Sequence, residues 1–290
     1  MAVLDALIPC VPASSPAGFR NEVHAGFQQA FGKYAVVDGE YIWKYTHNAY
    51  DFSVLGNTPV TFPVDWHNSK IPGWLLRASV PNYHGFTALV IMSSVAARYF
   101  PPQVGGLGVT VGQSGSVFRI DHDEKYNQTT HLQYQPWTKG PWVGFNWRYD
   151  SGLVAGAVPF ATDTTTPVDL TGFTGDQQLQ IGLFCGNQVP TLTTPLTSCA
   201  PAQLGATRVA IPAPGTENDD KNPPRIAPRH LFDLSIGDDN LFQGDRFRWS
   251  LQFTVVNLTN KAALYNFLST FSGTHFISPR AETVQLGFHF

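Results

Sequence analysis

Polar and apolar side chains exchange places residue by residue along much of this chain. In 246–255, Phe247, Trp249, Leu251, Phe253 and Val255 alternate with Arg246, Arg248, Ser250, Gln252 and Thr254. In 142–150, Val143, Phe145, Trp147 and Tyr149 alternate with Gly144, Asn146, Arg148 and Asp150. The last residues set Val284, Leu286, Phe288 and Phe290 against Thr283, Gln285, Gly287 and His289. The same pattern, less regular, runs through 22–31, 37–45, 74–80, 128–135 and 232–237, while 86–99 is apolar on both faces. Successive side chains leave opposite faces of a pleated strand, so a period of two predicts β-structure. Nine strands follow, with no convincing amphipathic helix.

Alternation alone fits two architectures. A soluble β-sandwich has it, and so has a membrane barrel. The sandwich reading gives a secreted carbohydrate-binding module using exposed Trp and Tyr. Two features favour the barrel. The apolar faces are rich in aromatic residues, and the polar faces carry mid-strand charge at Arg148, Asp150, Arg246 and Arg248. The spacing also alternates, with short connections at 32–33, 82–85, 136–141 and 239–245 and long ones at 46–71, 100–125, 151–228 and 259–280. Tight periplasmic turns and long extracellular loops give that layout. Parity then sends Phe145, Trp147, Trp249, Phe253, Leu286 and Phe288 toward lipid, and Arg148, Asp150, Arg246, Arg248 and Gln252 toward the lumen. Nine is odd, whereas single-chain bacterial barrels have even strand numbers. The expectation is therefore the C-terminal portion of a longer barrel, with 1–20 as the tail of an extracellular loop and 151–228 as the longest such loop.

Composition narrows the classes. The 290 residues hold 18 Lys+Arg against 21 Asp+Glu, a formal net charge of −3, with no basic stripe, which argues against a nucleic-acid partner. Only 13% are charged while 43% are apolar, which is wrong for a disordered chain. The opening MAVLDALIPC has no basic residue and too short an apolar run for a signal peptide. The longest apolar run, 88–92, is far below the ~18 residues of a membrane helix.

The C-terminal third carries HLFDLSIGDDNLF, RFRWSLQFTVVNLTNK, ALYNFLSTFSGTHFISPR and ETVQLGFHF, and upstream stand PNYHGF, RIDHDEKYNQTTHLQYQ and GPWVGFNWRYDSGLVAGAVP. These segments resemble the end of a TonB-dependent outer-membrane receptor, of the subgroup bearing a carboxypeptidase-regulatory-like N-terminal domain. The resemblance covers most of the chain, with 160–224 adding little. It implies the last part of a 22-stranded barrel in a Gram-negative outer membrane, importing a scarce ligand with energy passed from TonB. Phe290 on its aromatic strand resembles the signal read by the barrel-assembly machinery. The plug, signal peptide and TonB-contacting segment would lie upstream, so TonB would act only through that missing part. Siderophore, glycan, cobalamin and peptide all stay open as ligands.

Candidate chemistry is thin. Cys185 and Cys199, fourteen positions apart, suit a disulfide in an oxidising compartment, worth ~3 kcal/mol by loop entropy. Cys10 is left over. Asp121, His122, Asp123 and Glu124 could offer oxygen ligands to a cation, but solvation of a loop entering a strand is the preferred reading. Glu217, Asp219 and Asp220 look like a solvated run, and 238–240 like turn residues. Glycines at 26–33 and 106–112 miss the phosphate-loop and dinucleotide spacings by one position. No nucleophile elbow or zinc helix occurs, and a hydrolase built on Asp121, Asp123 or Asp150 would need two carboxylates across one cleft. His24, His131 and His289 read as wet lining. The sequons at Asn127 and Asn257 read as chance. Tyr265, Phe267, Phe271 and Phe276 either touch ligand or pack their loop over the barrel mouth, and packing is preferred. No enzyme, metal or cofactor is expected.

Overall fold

The computed structural model describes residues 17–54, 60–106, 116–161, 163–216, 220–244, 246–270 and 273–290. Nine strands form one antiparallel meander in which each pairs with the next along the chain. They are β1 (Phe19–Phe31), β2 (Ala35–Val54), β3 (Thr61–Tyr83), β4 (Phe86–Val95), β5 (Asn127–Tyr134), β6 (Pro141–Asp150), β7 (Arg229–Asp238), β8 (Arg248–Val256) and β9 (Ala281–His289). The short connections 32–34, 84–85, 135–140 and 239–247 all lie at one end of this sheet, with the C-terminus. Local chemistry makes these turns. Gly32 and Gly85 adopt positive φ, and Asp238 Oδ1 accepts the Asn240 N–H at 2.8 Å. Among the described residues, no helix is long and apolar enough to cross a membrane, which says nothing about strands.

The other end differs from the expectation of loops. Segment 46–71 is mostly strand, because β2 and β3 run for 20 and 23 residues. At ~3.4 Å per residue they extend ~70 Å or more, well beyond the ~10 residues that cross a bilayer. Nor does 86–99 form one strand. β4 stops at Val95, where Pro72 of β3 has no N–H for the ladder and its carbonyl accepts from Ala96 at 3.0 Å. From there β3 takes a new partner, Arg98–Gly106, which pairs with Val64 to Lys70. Ala49, Phe62, Val64, Trp66 and Tyr99 are buried together there, with Phe118 and Ile120 packed on them.

Segment 151–228, expected as a loop, is a folded cap with its own core. Among its described residues it contains one α-helix, α1 (Gly175–Ile181), started by a capping box between Thr174 and Gln177 and ended by Gly182 in the left-handed conformation. Short ladders pair Leu183–Cys185 with Leu204–Ala206, Val168–Asp169 with Ser198–Cys199, and Val209–Ala210 with Arg225–Ile226. A disulfide joins Cys185 to Cys199, tying the first two ladders together. Leu170, Ile181, Leu183, Val209 and Ile226 are buried with Leu264 and Phe267, which arrive from the hairpin Leu264–Ser269/Gly273–Phe276. The helix escaped the periodicity reading because it has only seven residues and buries a glutamine. Gln178 donates to the carbonyls of Phe173 and Leu196 and accepts the Leu196 N–H at 2.9 Å.

Candidate functional site

Directly opposed residues of antiparallel strands share a face, so the register sorts the sheet into two surfaces. One row runs Tyr134, Val143, Ile236, Phe253, Val284; a second runs Leu132, Phe145, Leu234, Val255. Trp147 opposes Phe232, Trp249 opposes Phe288, and Leu251 opposes Leu286 on that same surface. Across β1 to β3 it continues through Phe27, Gly39 and Leu76. This apolar surface is exposed, with Phe27 at 62%, Phe253 at 41%, Leu286 at 62% and Val284 at 70%. The opposite surface is polar. Thr129, Arg148 and Leu231 form one row, Asn127, Asp150 and Arg229 another, and Gly237, Gln252 and Gln285 a third. His131 and Asn146 bond across it at 2.7 Å. Arg248 opens β8 opposite His289. Arg246 instead lies in the turn before β8, its guanidinium over the Phe247 ring at 5.4 Å, so it is not a mid-strand residue. Phe290, past β9, is 94% exposed.

Two aromatic belts bound the apolar surface. At the long-connection end, Trp74, Tyr126, Tyr149 and His230 follow one another at centroid spacings of 6.2, 5.8 and 4.7 Å, and Trp147 Nε1 donates to His230 Nδ1 at 3.1 Å. At the short-turn end, Phe288 contacts Trp249 and Phe247 at 4.8 and 6.0 Å, and Tyr34 contacts Tyr83 at 5.6 Å. On β6 about eight residues separate the two levels, ~27 Å along the strand and ~20 Å along the normal of a sheet tilted as barrels are.

Above the sheet, charge ties the long connections together. Asp123, fully buried, accepts from Ala97 N at 2.6 Å and Arg119 Nη1 at 2.9 Å, and pairs with the Arg225 guanidinium. Arg119 and Arg98 both reach Asp220, at 3.2 and 2.5 Å. Asp123 is therefore a buried clasp held by arginines rather than a solvated carboxylate, while Glu124 accepts from Asn127 at 3.2 Å. Asp220 likewise belongs to that clasp, whereas Glu217 and Asp219 lie outside the described residues, as does Cys10. No group of three or more His, Cys, Asp or Glu among the described residues is arranged to hold a metal ion. Asp121 accepts from Ser269 Oγ at 2.7 Å and Thr270 N at 2.9 Å, pinning the hairpin. Burial lifts Asp51, in the outer part of β2, to about 6, and the Asp121 carboxylate adds to the rise. Burial also raises Glu124, with Asp150 contributing.

Beneath the hairpin, on the polar surface, a cleft of about 570 Å³ opens at the rim. β6 supplies Arg148 and Asp150, β7 supplies Arg229, and the hairpin supplies Tyr265, His275 and Phe276. Arg229 is buried beside Asp150 at 3.0 Å, its guanidinium over the Tyr265 ring at 5.4 Å. Arg148 reaches Asp233 at 3.4 Å and keeps 44% of its side chain exposed. From the cap, Arg208 stands over Phe276 at 5.2 Å. Of the aromatic ligand-contact candidates, Tyr265 and Phe276 line the cleft at 52% and 48% exposure. Phe267, a ligand-contact candidate for which packing is the preferred reading, is wholly buried in the cap core and closed to ligand. Phe271 lies outside the described residues. Arg208, Arg229 and His275 were not singled out from the sequence; only the fold brings their three segments together, and no local spacing signals it.

No protein-family profile matches the sequence. No curated protein matches it either. Solved structures share its fold, three of them as follows. The ferric-catecholate import receptor Fiu of Escherichia coli K12 matches with a TM-score of 0.53 at 12% identity, over 94% of this chain and 28% of the other. The FrpB iron transporter of Neisseria meningitidis gives 0.52 at 16%, over 95% and 32%. The outer membrane transporter YddB of Escherichia coli gives 0.52 at 8%, over 94% and 32%. All three are TonB-dependent receptors, so the fold is that of the receptor barrel wall expected from the sequence resemblance. The chain spans less than a third of each of their lengths.

Proposed function

We propose that this chain is the C-terminal wall of a TonB-dependent outer-membrane receptor that takes up a scarce ligand through a larger barrel. The observation that carries the reading is an exposed apolar surface spanning nine strands between two aromatic belts, with every long connection beyond one belt. A soluble sandwich would cover that surface with a second sheet. Outer-membrane barrels present it to lipid, in a band ~25 Å tall with aromatic girdles. Phe145, Trp147, Trp249, Phe253, Leu286 and Phe288 then face lipid, while Arg148, Asp150, Arg248 and Gln252 face the lumen. The short turns are periplasmic, the cap and outer β2–β3 hairpin extracellular, and Phe290 is offered to the assembly machinery. TonB would act through a plug supplied by another part of the receptor.

Strand direction supports the same reading. β1 and β9 both run toward the short-turn end, so a complement that pairs antiparallel with both must contribute an odd number of strands. Nine plus an odd number is even, as single-chain bacterial barrels require. The test is surface labelling of the chain expressed behind a secretion leader in a Gram-negative host together with its barrel complement. A cysteine at Val189 in the cap should react from outside intact cells with an impermeant maleimide, and one at Trp137 in a short turn should not. The reverse pattern overturns the topology, and a soluble periplasmic monomer overturns membrane insertion.

A further inference from the structure

The cleft at the rim of the polar surface has a composition that selects a ligand. Its floor is apolar, from Val256, Leu231 and Ile277. Two half-exposed rings, Tyr265 and Phe276, stand on the hairpin side. Each ring has an arginine over it, Arg229 and Arg208, so neither favours a further cation. On the wall side, Arg148 presents a guanidinium that is 44% exposed and bonded to Asp233 only at 3.4 Å. Asp233 does not depend on that contact alone, because its other oxygen accepts the Asn257 N–H at 2.9 Å. Arg148 can therefore turn to an incoming anion without leaving a buried carboxylate bare. The remaining charges are already matched, Arg229 by Asp150 at 3.0 Å. The volume of about 570 Å³ suits one small organic molecule.

We infer that this cleft is a binding subsite for a small aromatic carboxylate, its carboxylate on Arg148 and its ring against Tyr265 and Phe276. The anion receives charge-assisted hydrogen bonds from a planar fork, and the ring finds an apolar floor with edges to stack on. A cationic or simple sugar ligand meets the wrong charge or an apolar floor. The assignment deepens the receptor reading, which it needs for its physiological role, but binding itself belongs to the cleft.

The test uses the chain refolded in detergent micelles together with the polypeptide that supplies the remaining strands, and 2-naphthoate as a fluorescent probe, with 2-naphthalenemethanol as the neutral comparison and the complement alone as the blank. Saturable naphthoate binding is expected, at least tenfold tighter than the alcohol. Arg148→Gln should erase that preference while leaving alcohol binding in place. Tyr265→Leu should weaken both probes, by roughly threefold to tenfold, and it serves as the second variant because it leaves every ion pair intact. Equal affinity for acid and alcohol overturns the inference, as does unchanged selectivity in Arg148→Gln or unchanged binding of both probes in Tyr265→Leu. Binding without the labelling pattern above would sink the receptor topology and spare the subsite. Correct labelling with no selective binding would do the opposite.

Discussion

Gln252 and Phe253 are neighbours in β8 that face opposite ways, one opposed to Gln285 on the polar surface, the other to Val284 on the apolar one. In the proposed membrane orientation a guanidinium at Phe253 would lie in mid-band, where Arg costs ~2–4 kcal/mol. Phe253→Arg should abolish protease-resistant assembly in the membrane fraction, whereas Gln252→Arg should assemble nearly as wild type. Equal behaviour would refute the parity. Asp51 gives a second prediction at this scale, from outside the membrane band. Its folded value of about 6 lies above the ordinary carboxylate value, so the folded state holds the extra proton. Stability tied to Asp51 is therefore present in full below about pH 4 and lost as pH rises through about 6, amounting to ~2–3 kcal/mol. Asp51→Asn should flatten that dependence, being more stable than wild type above pH 6 in thermal unfolding. A wild-type curve that stays parallel to the variant's from pH 4 to 8 would contradict it.

At the scale of elements, the long connections behave as one built layer. Asp123 holds the 116–126 segment to Arg225 of the cap and to the Ala97 N–H beside β4. Removing a buried partner leaves uncompensated charge, a loss of about 3–5 kcal/mol. Asp123→Ala should release both segments to protease at temperatures where the wild type resists, with the wall unaffected; cutting within the wall at the same rate would show that the clasp is not local. The disulfide acts inside the cap. Replacing Cys185 and Cys199 with Ser should loosen the cap by ~3 kcal/mol in the loop-entropy model, read as faster hydrogen exchange over 183–206 and not over β5 to β8. The cap's core depends on Leu264 and Phe267 from a hairpin some forty residues downstream of the cap's end, which no reading of 151–228 by itself would reveal.

For the whole molecule, the unresolved demand is at the edges. Among the described residues β1 pairs only with β2 and β9 only with β8, and all thirteen residues of β1 are exposed. An open edge in lipid leaves N–H and C=O groups without partners, which a bilayer does not tolerate. Refolded alone, the chain should self-associate and lack a heat-modifiable monomer band on gels. Refolding with a polypeptide that supplies the remaining strands should restore such a band. A compact, protease-resistant monomer of this chain alone would show that the edges need no partner.

The strands of the wall were legible in the sequence because a residue's face depends only on its parity along a strand, and parity is a local property. The positions of Trp147, Phe253 and Leu286 on one surface and of Arg148 and Gln252 on the other follow from counting. So did the placing of short turns at one end, since Gly32, Gly85 and the Asp238–Asn240 pair make turns through their own backbone and side chains. What lay beyond the upper belt was not legible. The outer β2–β3 hairpin breaks its alternation with Asn and Pro, the seven-residue helix is too short to show a period, and Asp123 reads as solvated until the distant Arg225 joins the nearby Arg119 in closing on it. The cleft depends on three segments far apart in the chain. Register is written in neighbours, but burial and charge pairing among loops are decided by contacts that exist only after the chain has folded.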